Sequence, residues 1–397
     1  MPRQETPDRP TLDLLRHLSD QHVLAALLDG GPGTRADLAV RAGLSKPTVG
    51  QSVTRLIERG VIEEVGAEGG DPGDRGFGPA PAAPRGRGRS GTTLGLSPTA
   101  GCALVLRAGS QGLAGEVVTA DGTTVCHEDV TLGDSVTARR LGSTLRALSG
   151  RLADGAPGPV RAVTVSVADP VDRHTGRTVY LPGAPFLIGD LDVPRVLAAI
   201  PAAPVVDNDV NWSAIAERRQ GCTAELDHVL HVHLGQGIGA AIVADGRLIR
   251  GARGLAGEIA YAVTAPEAAR GRDPLAGTLL GRLGELGLLA PGGRVIDVDR
   301  LTSALARGGE KADRLLESLG AAIRGACHLV DPEAVVLSGS WGSHPAVVAA
   351  ISVAMERDPV SSARVLVGTV EDSPLVGARL GALDALRVAL LSPATGD

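Results

Sequence analysis

Apolar residues recur at helical spacing through Leu14, Leu15, Leu18, Val23, Leu24, Leu27 and Leu28, which predicts one buried helix face. Gly30-Gly31-Pro32-Gly33 ends that helix, and Thr34 is a capping residue for a second one running to Ala42. Ala42-Gly43-Leu44 reads as a tight turn, with Gly43 where unusual backbone angles are needed. Ser45 then caps a third helix, whose Pro47 sits where a missing N–H does no harm. Leu38, Ala39, Leu44, Val49, Val53, Leu56 and Ile57 form the packed face of this unit. Gly60–Val65 reads as the first strand of a wing.

Residues 67–91 are rich in Gly, Pro and Arg and carry no period, so they read as a loop or disordered insertion. From Thr92 onward short β runs alternate with helices. Strands are predicted at Ala103–Leu106, Gly115–Thr119, Ala162–Val167, Pro204–Val206, Val229–Leu234, Ala240–Val243, Ala334–Leu337 and Val365–Thr369. Helices are predicted at Val136–Arg151, Val210–Arg219, Ala312–Leu329, His344–Met355 and Leu375–Leu391. This alternation implies an α/β fold of two lobes around a cleft. The expected division is 1–66 as a helix-turn-helix unit, 67–91 as wing insertion or linker, and 92–397 as the α/β core.

The third helix leaves Ser45, Lys46, Thr48, Gln51, Ser52 and Arg55 on its polar side, the residue types that reach base edges and phosphates in a major groove. A small protein-interaction domain with a solvated face is the competing reading. Net charge is −6, which argues against non-specific nucleic-acid binding by the whole molecule, although specific reading needs only a local basic face. The start of the chain is polar and Pro-rich, without an apolar signal core. The longest apolar run, Ala346–Met355, is far too short for a membrane span. A cytoplasmic protein that engages no membrane is expected. Cys102, Cys126, Cys222 and Cys327 form no C-x-x-C pair, which disfavours a disulfide framework or a cysteine zinc site.

Asp207-Asn208-Asp209-Val210-Asn211 follows a strand and opens a helix, offering a carboxylate to accept a hydroxyl proton beside an orienting amide. A generic helix start also favours Asn and Asp. Gly235-Gln236-Gly237-Ile238-Gly239 follows another strand, and Gly254-Leu255-Ala256-Gly257-Glu258-Ile259 comes next. This order resembles the core of the ROK family, named for its repressors, open reading frames and kinases. The segment from Thr34 to Gly66 resembles the winged helix-turn-helix of that family's regulators, and Gly88-Arg89-Ser90-Gly91-Thr92-Thr93-Leu94 is similar to the element leading into their second wing strand. The resemblance implies an N-terminal winged helix-turn-helix followed by a two-lobed actin-like, ribonuclease-H-like ATPase fold. It places Arg89 near the wing, where Arg85, Arg87 and Arg89 either touch DNA or stay solvated. It implies that Asn208, Asp209 and Glu258 line a sugar pocket, with Asp209 at the position of the kinase base.

The departures from the family pattern bear on function. Arg107-Ala108-Gly109-Ser110-Gln111 stands where the family kinases carry Asp-x-Gly-Gly-Thr, and an arginine cannot ligate magnesium. Gln236 replaces a phosphate-loop threonine, and Trp341 places a large ring beside the segment expected to meet adenine. Tyr261 occupies the zinc-binding histidine position, and no cysteine lies between Cys222 and Cys327. Gly183 stands where a sugar-contacting Asn is common, and Ala276 at the place of a later sugar-binding Glu. Arg247, Arg250 and Arg253 read as a solvated hairpin, and His228, His231 and His233 alternate along a strand without forming a metal site.

The expectation is a transcriptional repressor and not an enzyme, without a cofactor. It would bind a double-stranded DNA operator as a homodimer or homotetramer. A sugar-like effector would bind at Asn208, Asp209, Glu258 and Tyr261. An ATP-dependent sugar kinase and a DNA-binding dimer with a ligand-blind core are the alternatives.

Overall fold

The computed structural model describes residues 12–65, 92–109, 112–133, 136–181, 183, 186–266 and 273–392. The predicted wing insertion, with Arg85, Arg87 and Arg89, lies outside the described residues.

The N-terminal unit contains α1 (Leu12–Gly30), β1 (Gly33–Thr34), α2 (Arg35–Ala42), α3 (Lys46–Glu58), β2 (Ile62–Val65) and β3 (Thr93–Leu96). Helix α2 begins on a reciprocal cap. Thr34 Oγ1 accepts from the Asp37 N–H at 3.3 Å, and Asp37 Oδ2 accepts from the Thr34 N–H at 2.9 Å. Gly43 lies in the left-handed region at φ 64°, as its turn position requires. Strand β3 pairs antiparallel with β2 and with β1, so the wing closes into a three-stranded sheet.

The first lobe follows as β4 (Cys102–Gly109), β5 (Gly112–Thr119), β6 (Thr124–Val130), β7 (Val136–Thr137), α4 (Ala138–Asp154), β8 (Val160–Val167), β9 (Leu187–Ile188), α5 (Val193–Val196), β10 (Pro204–Asn208) and α6 (Asp209–Gln220). Its sheet has the order β10-β8-β4-β5-β6. Leu104, Leu106, Val117, Val163 and Val165 face Leu141, Leu145 and Leu148 of α4, forming an apolar layer with no solvent exposure above 1%.

The second lobe comprises β11 (Val229–Leu234), β12 (Ile238–Ala244), β13 (Arg247–Ile249), a 3-10 turn at Ile259–Tyr261, α7 (Leu279–Glu285), α8 (Val298–Arg307), α9 (Glu310–Val330), β14 (Ala334–Ser338), α10 (Pro345–Glu356) and β15 (Arg364–Val367). Its sheet runs β13-β12-β11-β14-β15. The last helix, α11 (Ser373–Leu391), returns to the first lobe.

Helix α11 joins three parts of the molecule. Its Ala378 and Ala382 pack against Ala103 and Val105 of the first sheet, while Leu386 and Leu390 belong to the same apolar cluster as Val23, Leu27, Leu38 and Leu94. Gln21 Nε2 donates to the Leu391 carbonyl at 2.5 Å, and Arg387 pairs with Asp29 at 2.6 Å. Where α11 crosses α6, a Cβ on Gly377 would stand 1.8 Å from the Trp212 carbonyl oxygen, so only glycine allows this approach.

The predicted elements all form, with two kinds of difference. Val136–Thr137 is a short strand paired with β9, and the helix starts at Ala138, with Thr137 as its cap. Strands β1, β6, β9 and β13 and helices α5, α7 and α8 were not anticipated. Strand β6 is mostly exposed at the sheet edge, and α7 carries an internal glycine, so neither shows a clear apolar period.

Candidate functional site

Helix α3 is started by Ser45, whose Oγ accepts from the Thr48 N–H at 3.3 Å and lies 2.7 Å from Thr48 Oγ1. Val49, Ser52, Val53 and Leu56 are buried against α1 and α2. The outward stripe is Lys46, Pro47, Gln51 and Thr54, all exposed, with Gly50 open between them. Two of the expected DNA contacts are engaged inside the protein. Ser52 has no exposed surface, and its Oγ accepts from Arg55 Nη2 at 3.0 Å. Arg55 turns back to Asp20 on α1, a residue only 6% exposed, with Nη2 2.6 Å and Nε 3.1 Å from its oxygens. The hydrogen bond to Asp20 raises the Arg55 pKa above its ordinary value. Ser52 lies at i+3 from Val49 and i−4 from Leu56, so the helical period already placed it inside. Thr54 belongs to the outward stripe and was missed.

The cleft lies at the C-terminal ends of β8 and β10, facing the loop after β11. Its enclosed space is about 120 Å³. Asp207 is an anchor, not a ligand group. It is 6% exposed and accepts from Asn211 Nδ2, from Arg250 Nε and from the Asn208 N–H at 2.6, 2.6 and 2.9 Å. Arg250 is therefore not a solvated hairpin residue as expected, whereas Arg247 and Arg253 are exposed. Asn208 lines the cleft, but its side chain caps α6, accepting from the Val210 N–H at 3.0 Å and donating to the Val167 carbonyl at 3.4 Å. Asp209 and Glu258 also line the cleft. Burial pushes Asp209 up to about 7 against the pull of its backbone donors and the Arg107 charge. Burial and the neighbouring Asp209 raise Glu258 to about 7 as well. The Glu258 loop docks on β12 through Gly257, where an added Cβ would stand 1.8 Å from the Ala240 carbonyl. Tyr261 completes the expected set, with its hydroxyl pushed to about 12 by burial and then by Glu258.

One cleft residue was not anticipated. Asp169 follows β8, is 3% exposed, lines the cleft, and leaves Oδ1 without a hydrogen-bond partner. Burial, then Asp209, pushes its carboxyl up to about 7, with Arg294 pulling the other way. The Asp-Pro pair after an apolar strand was the available signal.

The kinase features fare differently. Arg107 Nη1 donates to Asp372 Oδ1 at 2.7 Å, so a guanidinium paired with an acid stands where a metal-binding carboxylate was looked for. Trp341 is 1% exposed and donates its indole N–H to the Gly235 carbonyl at 2.9 Å, packed beneath the glycine loop. Gln236 is exposed at the tip of that loop. Arg107 does not suit magnesium, and the segment after Glu258 supplies no thiolates for zinc. His231 is fully buried and His233 partly so, and burial holds both at about 4. His231 Nε2 lies 2.8 Å from Ser338 Oγ, a structural contact between β11 and β14.

Comparison with known proteins matches residues 103–380 to the ROK family and residues 17–72 to the MarR family. The bifunctional enzyme NanE/NanK of Brucella suis is 35% identical over 158 residues, which is 38% of this chain and 29% of that protein. The chain thus spans under a third of the length of that relative. The "Putative xylose repressor" of a Caldicellulosiruptor species is 22% identical over 62% of this chain and 59% of its own length. A crystal structure of a ROK family transcriptional regulator, a homolog of the E. coli MLC protein, superposes with a TM-score of 0.65 at 18% identity, covering 95% of this chain and 98% of that one. With most of its length matched by the family's signature and a winged helix-turn-helix ahead of it, the chain belongs to the ROK family.

Proposed function

We propose that this protein is a DNA-binding transcriptional repressor whose cleft binds a sugar-like effector. The observation that carries the reading is the pairing of a solvent-facing reading helix with a kinase-like cleft lacking its metal carboxylate. Lys46, Gln51 and Thr54 are free to meet base edges and phosphates, and Gly50 lets a backbone approach closely. Arg107 tied to Asp372 removes the stabilisation that phosphoryl transfer requires. The relative described as a xylose repressor supports the same reading.

Control by an effector has a physical route. Asp209 is the first residue of α6, α6 crosses α11 at Gly377, and the far end of α11 holds α1 through Gln21 and Asp29. Helix α1 in turn grips α3 through Asp20 and Arg55. A ligand that binds one lobe arrangement more tightly shifts the spacing of the reading helices in a symmetric homodimer or homotetramer. A sugar kinase is the second reading, favoured by the retained Asp209 and by a relative from Klebsiella pneumoniae described as a beta-glucoside kinase.

Selection of bound duplexes from a random library, run beside an ATP-coupled phosphorylation assay on hexoses, separates the two. Enrichment of a palindromic site with no turnover supports the repressor. Turnover lost in Asp209→Asn, with no enriched site, establishes the kinase.

A further inference from the structure

We infer that the cleft takes a small polyol carrying a protonated amine, held among Asp169, Asp209 and Glu258. The inference deepens the effector reading and rests on it. Its starting point is the Asp169 side chain, which is almost fully buried, directed into the cleft, and unpartnered at Oδ1. A carboxylate so placed is costly unless a ligand satisfies it.

The charges around it point to a cation. Asp169 feels both Asp209 and Glu258, and Glu258 feels Asp209, so the three acids repel one another. Burial keeps His233 and Tyr261 neutral near pH 7. Of the guanidiniums, Arg294 lines the cleft, donating to the Leu187 carbonyl at 2.8 Å and resting 5.7 Å from the Tyr180 ring centroid. Arg107 acts on Asp209 from its pair with Asp372. Arg250 is engaged with Asp207. Two guanidiniums thus act on three cleft acids. A neutral sugar would donate hydroxyls to these carboxylates and leave their mutual repulsion in place. An ammonium group supplies three donors and the missing positive charge together.

A metal ion is the other source of that charge. Among the described residues no group of three His, Cys, Asp or Glu side chains is placed to hold a metal ion. Binding an ammonium would ionise carboxyls held near 7 and release protons, so affinity rises with pH while the amine remains protonated.

The test is calorimetric titration of the full chain with glucosamine, galactosamine and mannosamine, each beside its N-acetyl derivative and parent hexose. The expected result is one free amine binding at least about tenfold more tightly than both counterparts, with Asp169→Asn erasing that margin. If Asp169→Asn does not melt cooperatively, Glu258→Gln takes its place. An N-acetyl sugar or hexose binding as tightly as its amine overturns the inference and leaves the sugar effector standing. Stabilisation by calcium or magnesium chloride alone, lost in Asp169→Asn, overturns it in favour of a metal site. No binding by any of the nine sugars overturns both this inference and the effector reading.

Discussion

Helices α3 and α6 both begin on a polar cap after a turn or strand, yet they use their polar residues in opposite ways. Helix α3 packs one side, and its Lys46, Gln51 and Thr54 meet solvent. Helix α6 buries Asn211, Trp212, Ser213 and Glu217, and each of these is bonded inside the protein. Asn211 donates to Asp207 at 2.6 Å, Trp212 to the Val165 carbonyl at 3.2 Å, and Ser213 to the Asp209 carbonyl at 2.9 Å. Glu217 accepts from the N–H groups of Thr369, Val370 and Cys222 at 2.7, 2.8 and 3.0 Å. The outer stripe of α3 can therefore change for recognition without touching the core, whereas polar changes in α6 alter stability and site together.

The most severe break of this contrast is Glu217→Ala. It leaves three part-buried N–H donors, on Cys222, Thr369 and Val370, without their acceptor, at up to about 1–3 kcal/mol each, so the urea stability of the chain should fall clearly. Unchanged unfolding by urea would mean that α6 is not the braced element described. Arg55→Ala comes next. It strands the buried Asp20 carboxylate, at a cost of about 3 kcal/mol, and should lower the melting temperature together with DNA affinity.

Gln51→Ala sharpens the contrast from the other side. Operator affinity should fall by about 1–3 kcal/mol while the thermal midpoint stays in place, because the side chain is exposed. Parallel binding isotherms and melts decide between a reading helix and a bracing one.

The smallest effect is in the pH dependence of the ligand-free protein. Asp169, Asp209 and Glu258 have folded pKa values raised to about 7, so their contribution is present below the ordinary carboxylate range and is lost as pH rises through about 7. His231 and His233, lowered to about 4, act with the opposite sign between about 4 and 6.5. Above that window the carboxyls still change, and His127, raised by its bond to Asp129, acts in the same direction, so stability should decline from pH 6.5 to 8, and less so in Asp169→Asn. A thermal melt series across that range checks the sign.

The contrast also explains what the sequence made legible. Helix α3, its turn and its caps were readable because a surface helix writes its packing as a 3.6-residue period. The same period, applied strictly, would have turned Ser52 inward. The turn of Arg55 towards Asp20, 35 residues away, could not be read from local spacing. In α6 burial on all sides erases the period, and only the Asp207–Asn211 motif marked the helix start. Asp169 and Arg250 escaped because their surroundings are assembled from distant segments. Arg250 reaches an acid 43 residues away, and Asp169 meets Asp209 from the neighbouring strand end and Glu258 from the second lobe.

The central claim is that the outward stripe of α3 reads DNA. The most direct measurement is a footprint of the full chain on its selected duplex, repeated with Gln51→Ala and with Thr54→Ala. The account predicts a protected palindrome for the unaltered chain, with weaker protection in both variants at unchanged thermal stability. Identical protection by all three proteins would contradict it.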